Sequence, residues 1–169
     1  RRETIDIAWS IAARHDSQGH LHSLRQRDYV WSSNALALGY SMLLLVAHRF
    51  EPNAALEDAA WDNLHYILGR NPFGVSWVTR VGTNPFRFPH HRPSAADNID
   101  EPWPGLLAGG PNAGRNDSAL TKTKGLPPGQ AWVDEQKSFS GNEIAINWNA
   151  LLLLVLTSTL PQEAPAKIR

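Results

Sequence analysis

Cysteine is absent from this 169-residue sequence. That excludes disulfide staples and thiolate-bound metal, while leaving the compartment open. A surplus of either charge is absent too. Basic and acidic residues number sixteen each, so no strong field points to nucleic acid, an anionic membrane or a polyanionic substrate. A membrane span is also missing. The uncharged run from Ile144 to Leu160 falls short of the ~20 residues a bilayer needs and holds Asn147, Asn149, Thr157, Ser158 and Thr159, so it reads as a buried helix. Arg1-Arg2-Glu3 carries no signal-peptide pattern and reads as the interior of a longer chain.

What remains is enough for one domain with a core. Seven tryptophans and twelve prolines are a heavy load. Tryptophan combines a broad apolar face with one N–H donor, which suits packing in a core and stacking on sugar rings alike. Residues 3–14 place Ile5, Ala8, Trp9 and Ala12 on one face, a helical spacing. A polar connection follows, and its His15, His20 and His22 fit no standard metal spacing, so a solvated loop is expected. From Tyr29 to Phe50 the pattern is helical and apolar nearly all round, with Ser32 or Ser33 as N-cap. Asn53 caps a second helix, which Gly69 and Asn71-Pro72 stop, and the short link makes an antiparallel hairpin.

From Asn71 to Ser140 the chain is rich in Gly, Pro, Asn and Trp with almost no periodicity, and a loop region this long is usually functional. A last helix is expected from Gly141 to Leu160. Two clusters stand out. Ser76 to Arg92 ends in His90-His91-Arg92, able to hydrogen-bond hydroxyls or steady an anion, though by residue types alone a polar turn is the preferred reading. Trp132-x-Asp134 and Phe139-Ser140-Gly141-Asn142-Glu143 precede the apolar run. Ser140 and Glu143 form a capping box, in which Glu143 only satisfies backbone N–H groups. Alternatively Glu143 is a general acid, desolvated by Ile144 and Trp148 toward a neutral pKa.

Together the clusters closely resemble the paired signatures of glycoside hydrolase family 9, the endoglucanases built on an (α/α)6 barrel. The first is similar to Ser76-x-Val78-Thr79-x-x-Gly82-x-Asn84 followed by Pro89-His90-x-Arg92. The second is similar to Trp132-x-Asp134, Phe139, Glu143-x-Ala145 and Asn149-Ala150. Between them GLLAGGPN (Gly105 to Asn112) looks like a family loop, and Ser32 stands where the family pattern has Gly.

The resemblance implies an all-α, partial (α/α)6 fold of the six-hairpin glycosidase type. Residues 1–160 would be the C-terminal part of the catalytic domain and 161–169 a tail. It implies hydrolysis of β-1,4-glucosidic bonds with inversion: Glu143 as acid, Asp134 as its acidic partner, and His90 and Arg92 on glucosyl hydroxyls. Trp132 and Trp148 would line the cleft. The family's base comes from an Asp-x-Gly-Asp motif that does not occur here, and Asp97-x-x-Asp100 is a poor substitute. The expected partners are therefore a β-1,4-glucan and either an N-terminal half of the enzyme or further copies of the chain. No cofactor is required, with structural calcium allowed on Asn112 to Asp117. An extracellular location follows from the same resemblance. An exo-acting glucosaminidase and an inactive glucan-binding or self-associating fragment are the alternatives.

Overall fold

The computed structural model describes residues 1–15 and 19–160. The expected tail at 161–169, and residues 16–18 of the polar connection, lie outside the described residues. Three long helices open the chain: α1 (Arg2–His15), α2 (Ser33–Phe50) and α3 (Ala54–Ile67). The last long helix, α6 (Ile146–Ser158), follows two short ones, α4 (Arg92–Ala96) and α5 (Phe139–Asn142). Helix α2 packs against α1, α3 and α6. Small buried residues on it, Ala35, Ala37, Ser41 and Ala47, let neighbours approach closely. Ser41 Oγ–H donates to the Ala60 carbonyl at 2.9 Å, pinning α2 to α3.

Local chemistry sets the helix ends. Asn53 Oδ1 accepts the Ala55 N–H at 2.9 Å, the expected N-cap of α3. Beyond α3, Gly69 has φ +134°, and the Asn71 amide donates to the carbonyls of Tyr66 and Val75. The start of α2 departs from expectation. The helix begins at Ser33, preceded by Ser32 in a left-handed conformation (φ +72°), and neither serine caps it. Ser33 Oγ–H instead donates to the Pro111 carbonyl at 2.7 Å.

Two apolar clusters make the core. Ala8, Ile11, Leu44, Ala47 and Leu56 join α1, α2 and α3. Tyr66, Trp77, Phe86, Leu107 and Trp132 form a larger, aromatic cluster beneath the long loop region. His22 belongs to this interior, so the solvated loop expected there is corrected: it is 4% exposed, its ring 4.5 Å from that of Tyr66. Its Nδ1 accepts the Leu24 N–H, which leaves the proton on Nε2 to donate to the Tyr29 hydroxyl. Burial, with His20, Arg70 and His15 nearby, lowers its pKa to about 4.

Among the described residues there is no β-strand; three isolated bridges, Ser76–Pro85, Val78–Leu107 and His90–Glu143, cross-brace the loop region instead. The expected helix over 141–160 is broken. Helix α5 ends at Asn142, Glu143 and Ala145 are extended, and α6 starts at Ile146. The capping box does not form, because Ser140 lies inside α5 and its hydroxyl serves Asp117. Nor is α6 fully buried: Leu152 and Val155 face inward, while Leu153 is 63% exposed and Ile146 91%. Between α2 and α6 runs an apolar groove of about 520 Å³, lined by Met42, Leu45, Val46, Phe50 and Leu154.

Candidate active site

The His90–Glu143 bridge brings the two sequence clusters together. The His90 N–H donates to the Asn142 carbonyl at 2.8 Å. The His90 Nδ1 lies 2.8 Å from the Gln136 carbonyl; a carbonyl only accepts, so Nδ1 carries the proton and a neutral ring keeps Nε2 as an acceptor. Arg92, two residues on, opens α4 and is exposed.

The Glu143 carboxylate is half-buried and accepts the Trp31 indole N–H at 3.1 Å. Phe139 lies between, its ring centroid 5.6 Å from Trp31 and 6.1 Å from His90. Trp31 and Phe139 are both partly exposed. Sequence reasoning singled out neither as a site residue. Phe139 stood inside a quoted signature; Trp31 is 112 residues from Glu143, and no local pattern links them.

Main-chain bonds fix this turn. Gly109 N–H donates to the Glu143 carbonyl and Gly110 N–H to the Gly141 carbonyl. The same loop is clasped by the start of α2: Asn34 N–H donates to the Gly109 carbonyl and its side-chain amide to the Ala108 carbonyl. Gly110 has φ +89°, and a Cβ there would lie 2.3 Å from the Asn34 side chain. Only glycine fits. Asn142 is fully buried with its amide saturated: Oδ1 accepts the Trp132 indole N–H, and Nδ2 donates to the carbonyls of Val133 and Glu135.

The expectation for Trp132 changes. Trp132 does not line a cleft: it is 4% exposed and packs edge-on against Phe73, Trp77 and Phe86, so neither face is open to a sugar. Trp148 is half-buried, and its ring edge lies against Gly109, where an added Cβ would meet it at 3.4 Å. Asp134 accepts the Arg87 and Phe88 N–H groups, one on each oxygen, and so holds the segment that carries His90. Burial pushes its carboxyl above the usual range, against the pull of those two N–H groups.

The segment Asn112 to Asp117 does not suit calcium. Asp117 is buried and accepts four hydrogen bonds, while Asn112 and Asn116 bond to each other. Among the described residues no three His, Cys, Asp or Glu side chains converge on a metal position. Asp97 is likewise occupied, by the Ile99 N–H and the Trp103 indole.

The model of glycosyl hydrolase family 9 matches residues 4–156. This chain belongs to glycosyl hydrolase family 9. It is 42% identical over 137 residues, 80% of its length, to a cellodextrinase of Butyrivibrio fibrisolvens, covering 25% of that protein. It is 40% identical over 161 residues, 95% of its length, to endoglucanase D of Acetivibrio thermocellus, covering 23%. A single-mutant thermostable endoglucanase from Alicyclobacillus acidocaldarius superposes with a TM-score of 0.89 at 33% identity, over 93% of this chain and 30% of the other. The chain thus spans about a quarter of the length of these curated relatives. Its fold is the all-α (α/α)6 barrel type of family 9, matched over this part of the barrel.

Proposed function

We propose that this chain carries the acid side of a family 9 active site that hydrolyses β-1,4-glucosidic bonds. The observation that carries the reading is the cluster of Glu143, Trp31, Phe139 and His90, in which a main-chain bridge joins His90 to Glu143 and the Trp31 indole and Phe139 ring close around the two side chains. Glu143 is the general acid: its proton passes to the glycosidic oxygen as the bond to C1 breaks. A base-activated water attacks C1 from the opposite face, which inverts the configuration. Such a base lies roughly 6.5–9.5 Å from the acid. Asp97, Asp117 and Asp134 are spent on structural hydrogen bonds, and the Asp-x-Gly-Asp motif does not occur in this sequence. Asp100 is the remaining internal alternative, and the base is assigned to another segment.

His90, with Nδ1 committed to Gln136, offers Nε2 to a glucosyl hydroxyl, and Arg92 supplies N–H donors beside it. Trp31 and Phe139 give the ring faces that pyranose C–H groups stack on, taking the place expected of Trp132. The helices that complete the barrel seat against the apolar side chains lining the groove between α2 and α6. Family membership supports a location for the enzyme outside the cell.

The test is reducing-end release from carboxymethyl cellulose, using chain whose purity is checked by intact mass. The chain alone releases nothing, and adding a segment that bears the Asp-x-Gly-Asp motif restores activity. In that mixture Glu143→Gln costs about 10²- to 10⁴-fold. Activity that survives Glu143→Gln sinks the assignment of the acid.

A further inference from the structure

Helix α5 delivers Glu143 at its C-terminal end, yet it has no cap of its own: the Ser138 side chain, at the N-cap position, makes no capping bond. A four-residue helix holds too few internal bonds to persist unaided. Its free N-terminal donors need an acceptor, and that acceptor comes from another loop. Asp117 Oδ2 accepts the Ser140 N–H at 2.9 Å, the Ser140 hydroxyl at 2.6 Å and the Ser138 hydroxyl at 3.2 Å. Its Oδ1 accepts the Leu120 N–H at 2.9 Å, which ties the carboxylate to the 3-10 turn Leu120–Thr123.

We propose that Asp117 is the positioning residue for Glu143, acting as a long-range cap that sets the orientation of α5 and so aims the Glu143 carboxyl at its Trp31 partner. Three donors on one oxygen define a direction, whereas one donor would define only a distance. Asp117 itself touches no substrate position: it is 6% exposed and surrounded by protein donors. The carboxylate is needed rather than an amide, because all four partners are donors and an asparagine NH2 group would oppose one side of the set. Burial works against its charge, but the bonds from Ser140, Leu120 and Ser138 win, and the carboxyl is held below its usual range. The catalytic meaning of this device rests on the reading of Glu143 as the acid; the geometry does not.

The test therefore reads Glu143 without needing turnover. The Trp31 indole N–H, identified among the seven tryptophans by Trp31→Phe, is followed by heteronuclear NMR across a pH titration of the chain. In the parent chain its resonance follows the ionisation of Glu143, and Glu143→Gln removes the response. In Asp117→Asn the pH response of the Trp31 indole is lost or its midpoint moves, while the dispersed spectrum of the core remains. A variant that merely lost stability would keep the parent midpoint in its folded fraction. Should Asp117→Asn fail to fold, the pair Ser138→Ala with Ser140→Ala strips the two Oδ2 contacts made by hydroxyls and leaves the carboxylate and its Ser140 N–H bond in place, with a smaller shift in the same sense. An unchanged Trp31 titration in either folded variant overturns the proposal, as does a parent indole that ignores Glu143→Gln. Loss of hydrolysis in the assembled enzyme tests the acid assignment separately.

Discussion

Replacing Gly110 with alanine tests how the active-site turn is held. Gly110 has φ +89°, and its added Cβ would sit 2.3 Å from Cγ and Oδ1 of Asn34 and 2.6 Å from Nδ2. Asn34 is fully buried at the start of α2 and cannot swing into solvent. Three costs follow. The left-handed backbone conformation costs an L-residue about 1–2 kcal/mol. Loss of the bond from Asn34 to the Ala108 carbonyl costs about 1 kcal/mol. Forcing a methyl group into a filled space costs about 1–3 kcal/mol. Even with relaxation, roughly 4 kcal/mol is expected, a large share of the 5–15 kcal/mol typical of a domain. Gly105→Ala is the control. Gly105 also has positive φ (+76°), but nothing lies within 4 Å of its Cβ position, so only the backbone cost of about 1–2 kcal/mol applies. Urea unfolding followed by tryptophan fluorescence measures both. At a slope near 2 kcal/mol per molar, Gly110→Ala lowers the midpoint by about 2 M. If Gly110→Ala and Gly105→Ala destabilise equally, the Asn34 clasp does not hold the loop and the reasoning fails.

Two further outcomes follow from other parts of the fold. The His22 ring is stored neutral, with a folded pKa near 4 against 6.5 unfolded. Between those values the unfolded chain binds the extra proton, so stability is full above pH 6.5 and falls as pH drops toward 4, by about 3 kcal/mol at the order-of-magnitude level. His22→Gln should flatten that window in urea melts at successive pH values, and an undiminished slope would exclude His22 as its source. Ser32 occupies a left-handed conformation without making a cap, so Ser32→Gly relieves strain against a smaller entropic penalty. A net gain of about 0.5–1 kcal/mol and a rise in Tm are expected; a lower Tm would mean that the Ser32 side chain has a structural use.

Much of the scaffold was legible in the sequence because its signals are local. Asn53 caps α3 two residues from the N–H it serves, and Gly69 with Asn71-Pro72 ends the same helix as their types dictate. Beyond the His90–Glu143 pairing that the family resemblance supplied, the site was legible only where its residues are neighbours in the chain. The capping box at Ser140 and Glu143 satisfied every local rule and still did not form, because Asp117, 23 residues upstream, takes the Ser140 donors and the chain straightens at Glu143. Trp132 was misplaced for a different reason. Tryptophan suits a cleft wall and a core equally, and the choice was made by Phe73, Trp77 and Phe86 closing around it. His22 was taken for a loop residue because polar neighbours in sequence do not reveal Tyr66 and Tyr29 beside it in space.

The bridge between His90 and Glu143 has a consequence for how such a protein can be altered. Both residues are fastened by main-chain bonds, to Asn142 and to Gly109 respectively, so their relative placement does not pass through the exposed segments at 95–101 and 124–127. Those segments can be lengthened, exchanged or grafted from relatives while the pair keeps its spacing, provided Asp117 and Leu120 stay in register. Engineering of substrate range therefore has a natural division of labour: sequence diversity goes into the surface segments, and the loop from Ala108 to Asn112 is left untouched.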